Sequence, residues 1–152
     1  MERYRDEEAF MQQHIETMEV ATRGRDFIDV TAEIAHRLKA VRAGNGLLTL
    51  FIRHTSASLT IQENADPDVR HDLVNALDRL APESAGYVHD IEGPDDMPAH
   101  IKTMLTDTHL AIPVSKGRMV LGTWQGIYVV EHRARPHQRD VVIHFAGEIG
   151  TG

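Results

Sequence analysis

Two hydropathy periods alternate along the chain. Alternation of apolar and polar residues marks strands over residues 14–22 (HIETMEVAT), 47–52 (LLTLFI), 58–63, 108–114, 118–121, 127–133 (IYVVEHR) and 139–146. Helical spacing marks three further stretches: Ile34, Leu38 and Val41 behind a Thr31 cap, Val69, Leu73, Leu77 and Leu80 behind Asp66-Pro67, and Ile101, Met104 and Leu105 behind Pro98. The run Gly44-Asn45-Gly46 is expected to close the first helix, Ala81-Pro82 the second, and Lys116-Gly117 to turn a hairpin. Residues 83–96 show little periodicity and read as a loop. No repeat, linker or low-complexity tract divides the chain. The pattern predicts an α+β fold in a single compact domain, mainly antiparallel or mixed sheet with about three helices. It covers residues 14–150, after an N-terminal arm over residues 1–13.

The same periodicities place polar groups at the ends of apolar rows. His54 continues the face of Leu48, Leu50 and Ile52, and Glu63 continues that of Leu59 and Ile61. Asp66, ahead of Pro67, is a helix cap by position. His71 falls about 200° around the helix from Val69, away from the apolar stripe, so it serves a site only if another surface covers it. The loop YVHDIEGPDD carries His89, Asp90, Glu92, Asp95 and Asp96, and His100 follows in the first turn of the third helix. Trp124 stands between Gly122 and Gly126, as at a bulge or a close backbone approach, or as a packing anchor. Tyr128, Val130 and His132 share one face of the strand at residues 127–133, with Ile127, Val129 and Glu131 on the other.

Composition narrows the chemistry. There is no cysteine, so disulfides, thiolate catalysis and cysteine-type zinc sites are excluded. No stretch approaches the ~20 apolar residues of a membrane span, nor does the N-terminus carry the apolar run of a signal peptide, and a cytoplasmic location is expected. A net charge of −7 argues against general nucleic-acid binding. Ten histidines in 152 residues are the compositional oddity. No dinucleotide-binding glycine loop, P-loop, His-Glu-x-x-His pair or nucleophile elbow is present.

Function therefore rests on a constellation. His54, His89 and His100 each sit at an element edge or in a loop, and three imidazoles with a water suit zinc or a similar divalent ion at a catalytic site. Glu63, Asp66, Glu92 and Glu131 are candidates for proton transfer or for orienting the histidines. The helix starts near Pro67 and Pro98, with Arg70 or Lys102 close by, would favour a phosphate-bearing substrate.

Three segments, HTSASLTIQENADPDVRHD, YVHDIEGPDDMPAHIK and GRMVLGTWQGIYVVEHR, in this order, closely resemble the YjbQ family, also called UPF0047. The likeness runs from about residue 14 to residue 148. Members of that family are described as secondary thiamine-phosphate synthase enzymes. The resemblance implies a compact α+β subunit that assembles as a homotrimer with polar clefts near subunit contacts, which would give His71 a partner surface. It also implies a weak activity joining an aminopyrimidine diphosphate to a thiazole phosphate with loss of pyrophosphate. By match of motif it carries over His54, Glu63, Asn64, Asp66, His71, His89, Glu92, His100, Lys102, Trp124, Gln125 and Glu131 as site positions. Among these Asn64, Lys102, Trp124 and Gln125 are assigned to substrate and His71 joins the carboxylates as a catalytic candidate. The chain departs from the family signature at His109, where a serine is usual. Two functions follow: a metal-dependent enzyme on phosphorylated small molecules, or a trimeric metabolite- or anion-binding protein whose synthase activity is incidental.

Overall fold

The computed structural model describes residues 11–150, so the body of the expected N-terminal arm lies outside the described residues. Eight strands and three helices follow in chain order: β1 (Gln12–Ala21), β2 (Asp26–Asp29), α1 (Thr31–Ala40), β3 (Ala43–Ile52), β4 (Ala57–Glu63), α2 (Pro67–Leu80), α3 (Asp96–Leu105), β5 (His109–Ser115), β6 (Arg118–Met119), β7 (Gln125–Glu131) and β8 (Gln138–Ile149). The strands form two antiparallel sheets, β1-β8-β3-β5-β6 and β2-β7-β4. This is the α+β single domain that the hydropathy pattern predicts.

One core lies between the sheets. Leu48, Leu50 and Ile52 of β3, Leu110, Ile112 and Val114 of β5, and Val141, Ile143 and Phe145 of β8 meet Leu59 of β4 and Ile127 and Val129 of β7, with Ile34 and Leu38 of α1 closing the side. Because β7 is the central strand of the smaller sheet, its second face is buried too: Tyr128 and Val130 join Phe27 under Leu73, Val74 and Leu77 of α2. Tyr128 meets Phe27 edge to face at 6.1 Å and lies under the Arg70 guanidinium.

Several expectations need correction. Thr31 is the first residue of α1 rather than its cap; Asp29 accepts from its N–H and hydroxyl, and Thr31 Oγ1 in turn accepts from Ile127 N–H. The Gly44-Asn45-Gly46 run does not close α1, which ends at Ala40, but opens β3 at a register shift against β8. A side chain at Gly46 would stand 2.4 Å from Ala146 O, so the close strand approach is what requires glycine there. In α2, Val74 replaces Leu80 on the packed side, and Leu80 is exposed. In α3, which begins two residues before Pro98, the buried side is Asp96, Pro98, Ala99 and Lys102, whereas Met104 and Leu105 face out. The short strand β2 carries only Phe27 and Ile28 inward, too brief to reveal a period.

The connection from β3 to β4 positions the chemistry. Residues 53–56 leave one sheet and enter the other, pinned by Arg53 N–H to Asp140 O and His132 N–H to Ser56 O. Leu59 and Asp107 exchange both backbone hydrogen bonds, which fixes the end of α3 against β4. The crossover thus lies beside the exposed flank of α3.

Candidate functional site

The site starts from helix spacing. Asp96 and His100 are four residues apart on α3 and so share a face. The loop before the helix folds back, with Tyr87 hydroxyl donating to Pro82 O, and brings His89 onto the same carboxylate. His89 Nε2 and His100 Nε2 stand 2.7 and 3.1 Å from Asp96 Oδ2, and the two rings are 5.6 Å apart. All three ligand atoms lie within 4.8 Å of one another.

Neighbours fix each member of this group. His100 Nδ1 is 2.8 Å from Thr55 O; a carbonyl only accepts, so the ring proton is on Nδ1 and the Nε2 lone pair of the neutral ring points at Asp96. Thr103 hydroxyl adds a second contact to the same carbonyl. Asp96 is buried, and its other oxygen accepts from Arg133 Nη1 at 2.7 Å. Arg133 also holds Asp95 through Nε and Glu92 O through Nη2, so one guanidinium clamps the loop to the start of α3. Burial alone would raise the Asp96 carboxyl, but the hydrogen bond with His89 and the positive charge of Arg133 outweigh it and hold it below the ordinary carboxylate range. A lone pair aimed at a carboxylate oxygen is repulsive unless a proton or a cation sits between them. Two imidazoles, one carboxylate and an open side match the donor set of catalytic zinc, and a nitrogen locked by a backbone carbonyl is the usual orientation of such a ligand.

His54 belongs to a different group. Its Nε2 accepts from Asp140 N–H at 2.8 Å, and its Nδ1 lies 3.3 Å from Arg139 Nη1. Burial and the Arg139 charge lower its pKa. With Nε2 taken by Asp140 N–H and Nδ1 facing Arg139, His54 is placed beside the metal-competent group and not within it. Glu131 is buried and fully occupied: Arg139 donates to both oxygens, Thr22 hydroxyl to one and Arg133 N–H to the other. Burial would raise its carboxyl, yet these donors keep it ionised below its ordinary value. Arg139 also donates to Ser56 O, so the Glu131–Arg139 pair braces the crossover that carries Thr55. Arg53, His54, Thr55 and Ser56 line a cleft of about 520 Å³ here.

The remaining expected residues are spread out. Lys102 is buried and its Nζ is 2.5 Å from Asp78, so its charge is already matched within the fold. Asp66 caps α2, accepting from Asp68 N–H, while Glu63 accepts from Asp66 N–H. Asn64 N–H donates to Trp124 O, Gln125 folds onto Gly122 N–H, and Trp124 is exposed, not a core anchor. His71 faces solvent beside Asn75, and Glu92 contributes its carbonyl to Arg133. Glu63 and Gln125 pair at one end of β4, opposite Ala57 and Glu131 at the other. At about 3.3 Å per residue, that separates the two groups by roughly 20 Å.

The sequence places Asp96 in the polar loop but not in the ligand set, and it does not single out Arg133, Arg139 or His132. Asp96 is taken there as loop because Pro98 marks the expected helix start; read two residues earlier, the Asp96/His100 spacing would have revealed it. Arg133 and Arg139 carry no sequence signal, since they act across 37 and 8 residues. His132, buried against Ser58 at 2.8 Å, is held neutral by the packing around it.

The comparisons with known proteins agree with this frame. Residues 16–148 match the model of the UPF0047 protein YjbQ-like family. The chain is 49% identical over 142 residues to the UPF0047 protein sll1880 of Synechocystis, covering 93% of this chain and 97% of that one. It is 46% identical over 133 residues to the UPF0047 protein YjbQ of Escherichia coli O157:H7, covering 87% and 96%. Among solved structures, a protein of unknown function from Sulfolobus solfataricus, SSO2532, superposes with a TM-score of 0.84 at 21% identity over 91% of this chain and 100% of its own, a likeness of fold. Fold and sequence together make this chain a member of the YjbQ-like UPF0047 family.

Proposed function

We propose that the chain is the subunit of a divalent-metal-dependent enzyme that acts on phosphorylated small molecules. His89, Asp96 and His100 are the metal ligands in this reading, with zinc the ion of best fit. The observation that carries it is the convergence of His89 Nε2 and His100 Nε2 on the buried Asp96 oxygen, with His100 Nδ1 turned to Thr55 O at 2.8 Å. When bound, a divalent cation neutralises charge on phosphate oxygens. The chain's own residues set the rest. Arg133 keeps Asp96 aimed and ionised, and Thr55 O keeps His100 from rotating. Arg53 and His54 edge the adjoining cleft, large enough for a small metabolite.

The reaction we assign is a secondary thiamine-phosphate synthase activity. The thiazole nitrogen forms a bond to the pyrimidine methylene carbon as the bond from that carbon to the diphosphate oxygen breaks, and pyrophosphate leaves with the electron pair. We also assign a homotrimer. Val88, Ile91, Met104 and Leu105 stand within five residues of His89 or His100 in the chain and are exposed, from 55% to 100%, a large apolar share for the loop and helix that carry the site.

Isothermal titration of chelator-treated protein with zinc tests the ligand set. His89→Ala and Asp96→Asn should each weaken zinc binding by tenfold or more, and His54→Ala by much less. Equal loss with His54→Ala, or no loss with the first two, rejects this ligand set. One observation favours the second reading, a metabolite- or anion-binding protein whose turnover is incidental: Glu131 has no free oxygen and Glu63 and Asp66 lie at the far end of β4, so of the four carboxylates expected to transfer protons only the exposed Glu92, beside Asp96, stands near the histidines. Retention of a phosphorylated ligand that is lost in His89→Ala, with no turnover above background, would decide for that reading.

A further inference from the structure

A second concave site lies away from the histidines. It is a cavity of about 630 Å³ between the C-terminal half of α1 and the β5–β6 turn. Four cations edge it, Lys39, Arg42, Lys116 and Arg118, over a floor that includes Leu38 and Met119, and among the described residues no acidic one lines it. Two of the chain's three lysines are therefore gathered in one place on a protein of net charge −7. Among the described residues these four side chains make no ion pair or side-chain hydrogen bond, whereas the nearby acids are engaged elsewhere: Glu33 by Arg37, and Glu148 by Asn45 N–H.

The backbone supplies an independent observation. Among the described residues only two non-glycine residues have positive φ, Arg42 at 57° and Lys116 at 51°, and both line this cavity. Left-handed backbone is uncommon for such residues, and a two-residue hairpin turn prefers asparagine or glycine at the place Lys116 holds. The turn is also fixed: Lys116 N–H donates to Asn45 Oδ1 at 2.7 Å and Gly117 N–H to Gly44 O at 3.0 Å. Lys39 alone would be explained as a cation complementing the end of a helix. That account does not reach Arg42, Lys116 or Arg118.

We infer that this cavity is a binding site for a small polyanion, a compound bearing a diphosphate-type group on a compact body that can rest on Leu38 and Met119. Cations held on strained but fixed backbone are preorganised for two or more phosphate charges. The inference stands apart from the histidine site and does not depend on its chemistry.

Titration of full-length, chelator-treated protein with inorganic pyrophosphate tests it. Lys116→Glu combined with Arg118→Glu should lower affinity at least tenfold, while His89→Ala leaves it unchanged. Lys116→Gly adds a second readout: relief of the positive φ should raise Tm by about 2–4 °C, and loss of the ammonium should weaken pyrophosphate several-fold. A cation present only for local structure would leave affinity unmoved. No pyrophosphate binding, binding unaffected by the double variant, binding lost in His89→Ala, or a Tm gain with unchanged affinity would each overturn the proposal. So would sedimentation with phosphatidylserine vesicles that depends on Arg118 in the absence of pyrophosphate binding, which would assign the patch to a lipid surface.

Discussion

At the scale of single residues, the buried histidine sets the pH response. His132 is 2% exposed and its pKa is pushed down to about 4, first by burial and then by the Lys102 charge, with Arg139 adding and Glu131 and Asp78 opposing. The unfolded chain takes up a proton near the ordinary value of 6.5 while the folded chain does not. Stability is therefore full above pH 6.5 and falls as pH drops from 6.5 towards 4, by up to about 3 kcal/mol from this residue. His54, also lowered, acts in the same direction. The depressed carboxyls of Asp95, Asp96 and Glu131 stabilise the fold above their ordinary values, and that share is lost as the pH falls further. Urea unfolding at a series of pH values should thus show a first decline well above the carboxylate range. His132→Gln, which keeps a hydrogen-bonding group for Ser58 and cannot titrate, should flatten that first decline and leave the second. An unchanged slope would mean that another group carries it.

At the scale of elements, legibility followed the local signal. Helix α2 was readable because Asp66 and Pro67 state its start in two adjacent residues, and the structure keeps both roles. Asp66 also appears among the site residues expected from the sequence, and the two roles separate experimentally. Asp66→Ala should cost about 1 kcal/mol of stability, seen as a lower urea midpoint, with zinc affinity unchanged. A loss of zinc affinity at full stability would instead place it in the site. Helix α3 misled because its buried side is set by tertiary context: Lys102 is taken inside by Asp78, and Met104 and Leu105 are left out. No periodicity rule anticipates a lysine in the place of a leucine. The strands at β3, β5 and β8 were legible because one face meets the core. In β7 the alternation was legible, but only the three-stranded order explains why both of its faces are buried.

At the scale of the whole molecule, one subunit holds Glu63, Asn64 and Gln125 at one end of β4 and Glu131 at the other, and the proposed trimer offers a way to bring two such groups together. The loop and helix that carry His89 and His100 also expose Val88, Ile91, Met104 and Leu105, four side chains whose burial would stabilise a contact by several kcal/mol at about 1.5–3 kcal/mol for a fully buried large side chain. Such an apolar margin beside a polar centre fits the homotrimer assigned above. The hydropathy pattern marks Met104 and Leu105 as core because helical spacing cannot distinguish a face that packs within a chain from one that packs between chains, whereas Val88 and Ile91 fall in the aperiodic loop. Light scattering after size exclusion separates the cases. The native chain should elute at three times the subunit mass, and Ile91→Glu with Met104→Glu should shift it to the single-subunit mass, with circular dichroism unchanged because both side chains are exposed in the isolated fold. Zinc affinity should survive in the separated subunits, since His89, Asp96 and His100 come from one chain. Synthase activity should fall if the Trp124 end of a neighbour completes the cleft. A native mass equal to one subunit, or a trimer unmoved by two buried glutamates, would remove the oligomer from this account while leaving the metal site intact.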